Sequence, residues 1–366
     1  MPVIRFIKRN PVFSVAVLAA VVTACFVPPD KTYLSYFDYR TLTCLFCVLA
    51  VVCAFRNINF FYLMAERVVR RFGTLRHAVL ALVYITFIGS MLIANDMALL
   101  TFLPLGYFVL ETTGQTKHMA VTFILQNIAA NLGGMLTPFG NPQNLYLYSH
   151  FSIPAGDFML TMLPPFAVSI LLITGCCFVF PREPLTLPNE KRPTDRRKAV
   201  LYGTLFALAI AIVFRGIPYI IGLIVILPVL FFADRKALKE VDYILLGTFI
   251  CFFIFSGNMG RMEAVRNLVG GLLNGNELLV SAASCQVISN VPSAILLSQF
   301  TENWRPLLVG VNIGGAGTLI ASLASLITFR EYIAHNPDKK GRYVLLFSAF
   351  NFSFLILLCL IESLIL

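Results

Sequence analysis

The chain has 366 residues, of which 58% are hydrophobic and 13% charged, with a formal net charge of +10 and a mean hydropathy of +0.82. Roughly a quarter of an ordinary soluble domain is charged, so this composition excludes a soluble fold and points to an integral membrane protein. The apolar runs continue over about 16–24 residues instead of alternating over about ten, which selects helices over a barrel.

In chain order, the opening segment MPVIRFIKRNPVFSVAVLAAVVTACF has the basic start and apolar centre of a signal peptide, and Cys25 follows VTA as at a lipoprotein cleavage site. With so many apolar runs downstream, an uncleaved first helix with a cytoplasmic N-terminus is expected. About nine full spans are predicted, at 12–28, 41–55, 118–149, 158–180, 199–214, 217–233, 242–257, 305–329 and 343–364. Two further apolar units, 77–112 and 277–300, each consist of two short arms meeting at a polar tip, IANDMALL in the first and VISNVPSAI in the second. An arm of about 12–17 residues rises about 18–25 Å, short for a hydrocarbon core of about 30 Å. Re-entrant hairpins are therefore expected. The connectors 57–77 and 258–277 mix apolar and charged residues at helical spacing and should lie in the interface plane. The linker 181–198 is polar and proline-rich, and separates two halves of similar plan.

Charge supports this layout. With the N-terminus inside, the cytoplasmic segments hold 22 of the 28 Lys and Arg, and the outer segments hold Lys31, Arg40, Arg215, Arg261, Arg266 and Arg305. That asymmetry follows the positive-inside rule. It places the first hairpin on the cytoplasmic side and the second on the outer side. Basic residues confined to short loops orient a membrane protein, and nucleic acid is not an expected partner; the lipid bilayer is.

The halves repeat one another. The hairpin tips read Ala94-Asn95-Asp96 and Ser289-Asn290-Val291. Downstream of each comes an apolar segment with N-[LI]-G-G-x-x-T, Asn131 to Thr137 in the first and Asn312 to Thr318 in the second. Because the hairpins enter from opposite faces, 1–180 and 199–366 are expected to be inverted repeats, with broken helices at 118–149 and 305–329. A break frees backbone carbonyls for a cation and exposes half-helix N–H groups to an anion. Backbone left unpaired in lipid costs several kcal/mol per group, so such breaks survive around a wet or ion-filled cavity.

The hairpins, GNPQN after the first break and SNVPS at the second tip resemble the ion transporter superfamily, whose members include citrate and divalent-anion symporters, arsenite permeases and a class of sodium–proton antiporters. The resemblance covers the chain from about residue 10 to its end, and the chain is expected to lack the first one or two helices usual there. It implies an all-α, polytopic, elevator-type transporter of the cytoplasmic membrane, working as a homodimer, with interfacial helices joining a moving domain to a scaffold. Carried over by position, it implies cation or proton coupling at Asn95, Asp96, Gly133, Gly134, Thr137, Ser289, Asn290, Gly314, Gly315 and Thr318. It implies substrate contacts at Asn95, Thr137, Pro138, Gly140, Asn141, Asn144, Asn290, Gly317 and Thr318. Pro142 falls in the same glycine-threonine-proline loop. Neither tip has the full Ser-Asn-Thr triplet of that group, since Asp96 follows one asparagine and Val291-Pro292 the other. The pair looks closer to the arsenite-permease and antiporter branch than to dicarboxylate symporters.

Among the eight aspartates, Asp96 alone falls deep in an apolar region. A charge there costs about 2.5–3.5 kcal/mol on insertion scales, which marks it as functional. It can bind sodium, exchange a proton, or cap the second hairpin arm while doing either. No Lys or Arg lies deep in a span, so an anion would be held by helix dipoles and a coupled Na+ or H+, the only cofactor expected. A small inorganic or organic anion, carboxylate- or arsenite-like, is the expected substrate; a sodium–proton antiporter without an organic substrate is the competing reading. The nine cysteines lie within or beside apolar runs, and Cys44-x-x-Cys47 reads as small buried side chains. The four histidines show no HExxH pattern. An aspartyl intramembrane protease would need a second membrane acid, so no enzymatic activity is expected.

Overall fold

In the computed structural model, which describes residues 10–185 and 195–366, the chain is helical throughout the described residues apart from turns and one isolated bridge between Thr74 and Pro184. The basic start at Arg5, Lys8 and Arg9 and the middle of the linker lie outside the described residues. The first half comprises α1 (Pro11–Phe26), α2 (Tyr39–Asn57), α3 (Phe60–Val69), α4 (Leu75–Ile93), α5 (Asn95–Thr112), α6 (Met119–Gly133), α7 (Pro142–His150) and α8 (Ala155–Phe178). The second comprises α9 (Arg196–Val213), α10 (Tyr219–Ala233), α11 (Tyr243–Arg261), α12 (Glu263–Leu273), α13 (Glu277–Ile288), α14 (Asn290–Leu297), α15 (Trp304–Ile313), α16 (Leu323–His335) and α17 (Lys340–Ile365).

Local chemistry starts these helices where they start. Asp38, Asp195 and Asp242 each accept a backbone N–H of the first turn of α2, α9 and α11, and Asp234 does the same for the single turn Arg235–Lys239. N-capping by carboxylate satisfies donors that have no partner inside the helix. Four of the eight aspartates are thereby explained, and Asp96 is not among them. The chain reverses into α3 at Asn59, which adopts a left-handed conformation (φ 53°), one that asparagine tolerates better than most residues.

Among the described residues, six helices are long and apolar enough for a full crossing: α2, α4, the run Thr116–Leu136 containing α6, α8, α11 and the run Pro337–Ile365 containing α17. Nine were expected. The difference has local causes. α1 and α10 have 16 and 15 residues, α9 opens on Arg196, Arg197 and Lys198, and the 305–329 segment is split into α15 and α16. The first hairpin also departs from expectation, because α4 and α5 have 19 and 18 residues, about 28 and 27 Å of rise, instead of the short arms foreseen. The second hairpin keeps short arms of 12 and 8 residues.

The distribution of polarity is that of a multi-pass membrane protein. Large apolar side chains are turned outward, such as Ile224 and Phe232 of α10 and Leu345 and Leu364 of α17, while the asparagines of the breaks are buried. Polar groups need partners, and in lipid those partners exist only inside the protein. Within each half the first hairpin arm packs on the first arm of the broken segment, α4 on α6 and α13 on α15. Between halves the pairing crosses over, α5 against α16 and α14 against α7. The start of the linker is fastened to the base of the first hairpin: Leu75 N–H donates to the Glu183 carbonyl and Leu185 N–H to the Gly73 carbonyl, both at 2.9 Å.

Candidate functional site

The two hairpin tips have the same construction. Between α4 and α5, Ala94 takes φ 65° and ψ 152°; between α13 and α14, Ser289 takes φ 74° and ψ 159°. Such a conformation is strained for a non-glycine residue and persists only where its surroundings enforce it. The enforcing contacts match. Asn95 N–H donates to the Gly140 carbonyl (3.2 Å) and Asn290 N–H to the Ala321 carbonyl (2.9 Å), each a residue of the broken segment in the same half. Each asparagine then accepts the next backbone N–H on its own Oδ1, from Asp96 and from Val291, both at 2.9 Å.

Both glycine-rich segments are broken as expected. α6 ends at Gly133, a 3-10 turn covers Gly134–Leu136, and the chain runs extended at Thr137 and Asn141 before α7 begins at Pro142. α15 ends at Ile313, and the chain resumes helix at Leu323 after an extended Ser322. Gly133 is required by close approach, since an added Cβ would run into the Phe87 carbonyl of α4. Gly317 is required by its φ of +141°. At Gly315 a Cβ would lie 3.2 Å from Asn290 Nδ2 and 3.6 Å from Asn131 Oδ1, so this glycine sits where the halves meet.

The halves are joined by a reciprocal pair of asparagines. Asn131 Oδ1 accepts from Asn95 Nδ2 at 3.2 Å and from the Ser322 hydroxyl at 2.8 Å. Asn312 Oδ1 accepts from Asn141 Nδ2 at 3.2 Å and Gln143 Nε2 at 3.3 Å, and its Nδ2 donates to Asn144 Oδ1 at 2.6 Å. Asn131 and Asn312 hold the same place in the repeated motif, as do Asn141 and Ser322, the residues preceding α7 and α16.

A cavity of about 360 Å³ opens against this network. Among the helix N-termini that reach its wall are those that follow the hairpin tips and the breaks: Asn95 and Asp96 of α5, Pro142 and Gln143 of α7, Asn290 and Val291 of α14, and Leu323 of α16 with its cap Ser322. Each brings the positive end of a helix dipole. Ser289 completes the second tip, and Asp242 and Arg330 stand exposed at the mouth. Asn141 Oδ1 and Gln143 Oε1 are buried and accept no hydrogen bond from the described residues. Buried polar atoms are nearly always paired; Gln143 lines the cavity, so its orphan carbonyl oxygen suits an oxygen-seeking cation such as Na+, whereas Asn141 Oδ1 sits against Gly134 within the break.

Of the residues singled out in the sequence, Asn95, Asp96, Ser289 and Asn290 line the cavity together. Asn141 backs it through Asn312. Thr137 and Thr318 are turned to the first arm of the hairpin in their own half and Asn144 into its break: Thr137 Oγ1 donates to the Met91 carbonyl at 2.8 Å, and Asn144 Nδ2 to the carbonyls of Gly134, Met135 and Thr137, each at 3.2 Å. Thr318 N–H donates to Gln286 Oε1 at 2.8 Å. Gly133, Gly134, Pro138, Gly140 and Gly314 are buried backbone of the breaks, and Gly317 packs on Gln286. Gln143, Ser322, Asp242 and Arg330 were missed. Gln143 lies inside the quoted GNPQN and could have been named; Ser322 and Asp242 are helix caps and Arg330 lies within α16, and their convergence leaves no mark in the sequence.

An apolar helical bundle with a cavity at the meeting point of broken helices suits a membrane transporter. The comparisons agree, and the chain belongs to the citrate transporter family, whose profile matches residues 3–303. It is 31% identical over 315 residues to an uncharacterized transporter of Methanocaldococcus jannaschii, covering 84% of this chain and 85% of that one. An inner membrane protein of Escherichia coli is 26% identical over 340 residues, 90% of each chain. A silicon efflux transporter of Oryza sativa subsp. japonica is 30% identical over 152 residues, 41% of this chain and 30% of that one.

Proposed function

We propose that the protein is a secondary active transporter that moves a small anion or oxyanion, carboxylate- or arsenite-like, across the cytoplasmic membrane in exchange for or together with Na+ or H+. The observation that carries this reading is the convergence of both hairpin tips and the N-termini of both second break arms on one cavity that also contains Asp96. Helix N-termini favour negative charge without any buried Lys or Arg. Asp96 and the open oxygen of Gln143 offer a place for the coupling cation, so solute and ion would bind as neighbours. The relative named for silicon efflux supports an oxyacid as solute and export as direction.

In this reading, 1–180 and 199–366 are inverted repeats joined by the linker 181–198, and their hairpins enter from opposite faces. The equal construction of the tips, the crossed packing between halves and the reciprocal asparagines support that symmetry. A site where inverted repeats meet near the midplane is the plan of many secondary transporters. The loops beside Asp242 and Arg330 are cytoplasmic in the charge-derived topology, so the cavity faces inward in this state. The hairpins and breaks would move as a body, in an elevator manner, against a scaffold that also forms a homodimer, with α3 and α12 as the joining arms.

The deciding assay is flux into proteoliposomes. Asp96→Asn is expected to abolish ion-dependent movement of the solute, and full retained coupling would remove Asp96 from the mechanism. A thermal-shift screen against sodium, lithium, citrate, succinate, arsenite and sulfate identifies the ligands first, since ligand binding stabilises by mass action. A sodium–proton antiporter is the second reading, favoured by two carboxylates, Asp96 and Asp242, on the cavity wall. Sodium-driven pH change with no anion present would select it.

A further inference from the structure

The two halves share a frame, but the side chains placed on it differ. Met91 and Gln286 stand four residues before the tip asparagines, and Asp96 and Val291 directly after them. Counted from Thr137 and Thr318, Gln143 corresponds to Ala324 and Asn144 to Ser325, and the helices after the breaks start in the same register, at Pro142 and Leu323. A repeated contact confirms this alignment: Thr137 Oγ1 donates to the Met91 carbonyl at 2.8 Å and Thr318 Oγ1 to the Gln286 carbonyl at 3.1 Å.

The first tip and break present acceptors. Asp96 lies in the first turn of α5 and Gln143 in that of α7, both on the central cavity, and Gln143 Oε1 is buried without a donor among the described residues. The Asn95 N–H bond to the Gly140 carbonyl ties this tip to the chain two residues before α7. At the equivalent places the second tip and break have Val291 and Ala324, whose side chains accept nothing.

The second break has a donor instead. Gln286 Nε2 donates to the Ala282 carbonyl at 2.9 Å and the Gly314 carbonyl at 2.8 Å, with the Ala316 carbonyl at 3.5 Å, while its Oε1 accepts the Thr318 N–H at 2.8 Å. Gly317 passes so close to this amide that no Cβ would fit. In the first break Asn144 braces the carbonyls from its own second arm, whereas its counterpart Ser325 accepts from Asn127 Nδ2 at 3.3 Å. An amide hydrogen aimed at a carbonyl supplies the positive charge that a cation would otherwise supply, and one amide nitrogen carries two such hydrogens. The other carboxylates near a cavity are engaged. Asp242 accepts the Leu245 N–H at 2.9 Å. A second cavity, of about 440 Å³, is lined by Asp38, Tyr146, His150 and Gln299 among others, and Asp38 there accepts the Thr41 N–H and hydroxyl at 2.9 and 2.7 Å.

The geometry points to Gln286 as a positioning residue that closes the second tip and break to an ion, leaving one Na+ site per chain, at Asp96 and Gln143 of the first. That this Na+ is the coupling ion rests on the transport reading above; its place and number do not, because they are tested by binding.

The test uses the purified full chain in detergent, with Na+ as probe and choline as its replacement at constant ionic strength, read as melting temperature. Na+ is expected to stabilise the unaltered protein, and Asp96→Asn or Gln143→Leu to abolish that shift. Gln286→Glu keeps an acceptor for the Thr318 N–H and turns a carboxylate oxygen toward the Gly314 carbonyl. It is expected to melt lower in choline and to gain about 2 °C or more from Na+ beyond the shift of the unaltered protein. Gln286→Met removes the brace without adding an acceptor and should lower the melting temperature equally in both salts. A merely structural Gln286 would make the two variants behave alike. If Gln286→Glu does not fold, Val291→Asp, on the cavity wall, takes its place with the same expected gain. The proposal is overturned if Na+ leaves the unaltered protein unshifted or if Asp96→Asn retains the full shift. It is equally overturned if radiolabelled sodium binds at more than one ion per unaltered chain, or if the carboxylate variants respond to Na+ no more than Gln286→Met. Sodium responses divided as expected in a protein without solute flux would keep the site and remove the transport reading.

Discussion

At the scale of single residues, the polar side chains of the breaks divide into those that face the cavity and those that hold the break open. Asn144 belongs to the second group. Its amide satisfies three carbonyls that the interruption of α6 leaves without helical partners. An unsatisfied buried polar group costs about 1–3 kcal/mol, so Asn144→Ala is expected to destabilise the protein by on the order of 3 kcal/mol, read as a fall in melting temperature in detergent. Gly133→Ala forces a methyl against the Phe87 carbonyl, and overpacking of this kind costs about 1–3 kcal/mol. Gly315→Ala meets the Asn290 amide at a distance that a side chain can yield, so it should weaken ion or solute binding while sparing the melting temperature. Glycine and asparagine were legible as the unusual residues of an apolar run. Their separate tasks were not, because the task of an amide depends on which carbonyl it reaches.

At the scale of elements, the reciprocal asparagines make a prediction about symmetry. Asn131→Ala removes the acceptor of Asn95 and Ser322; Asn312→Ala removes the acceptor of Asn141 and Gln143. Equal losses of transport and of stability are expected from the two changes. A large loss from one and none from the other would show that the halves do not share the site equally. The clasp at the base of the first hairpin gives a pH test outside the membrane segments. Glu183 accepts from Gln115 at 2.6 Å and pairs with Lys117 at 3.3 Å, and these contacts hold its carboxyl below the usual value of 4.5. A carboxyl lowered in the folded state contributes stability that is present above its unfolded value and lost as pH falls through the folded one. The protection factor of the Leu185 amide, which removes the intrinsic pH dependence of exchange, is therefore expected to stay constant from pH 8 to about pH 5 and to fall only below about pH 4. The hairpins were legible as elements, but the length of the first was not. Its arms extend to Leu75 because the linker pairs with the backbone there and fixes the start of α4.

At the scale of the whole molecule, the cavities divide the surface into two faces. Lys236 and Lys339 adjoin helices that run to the mouth of the first cavity, and Lys31 lies in the loop beside the second. An impermeant amine reagent is expected to modify Lys236 and Lys339 from one side of a sealed vesicle and Lys31 from the other. Modification of all three from one side would break the topology on which inversion depends. The linker pairing fastens the base of the first hairpin to the boundary between the halves, so a displacement of α4 would either carry residues 183–185 with it or break these two hydrogen bonds.

Composition alone determined that this chain lives in a membrane, because a run of apolar residues has the same solvent preference whatever surrounds it. The repeated N-[LI]-G-G-x-x-T and the two Asn-bearing tips fixed where helices break, since glycine and a capped asparagine act over a few residues of chain. Only the tertiary structure decided which oxygens and N–H groups share a cavity. Asp96, Gln143 and Ser322 are far apart in the chain, and their meeting depends on helix packing across the halves. The same holds for Tyr146 and Ser298, 152 residues apart, whose hydroxyls meet only because α7 and α14 lie side by side.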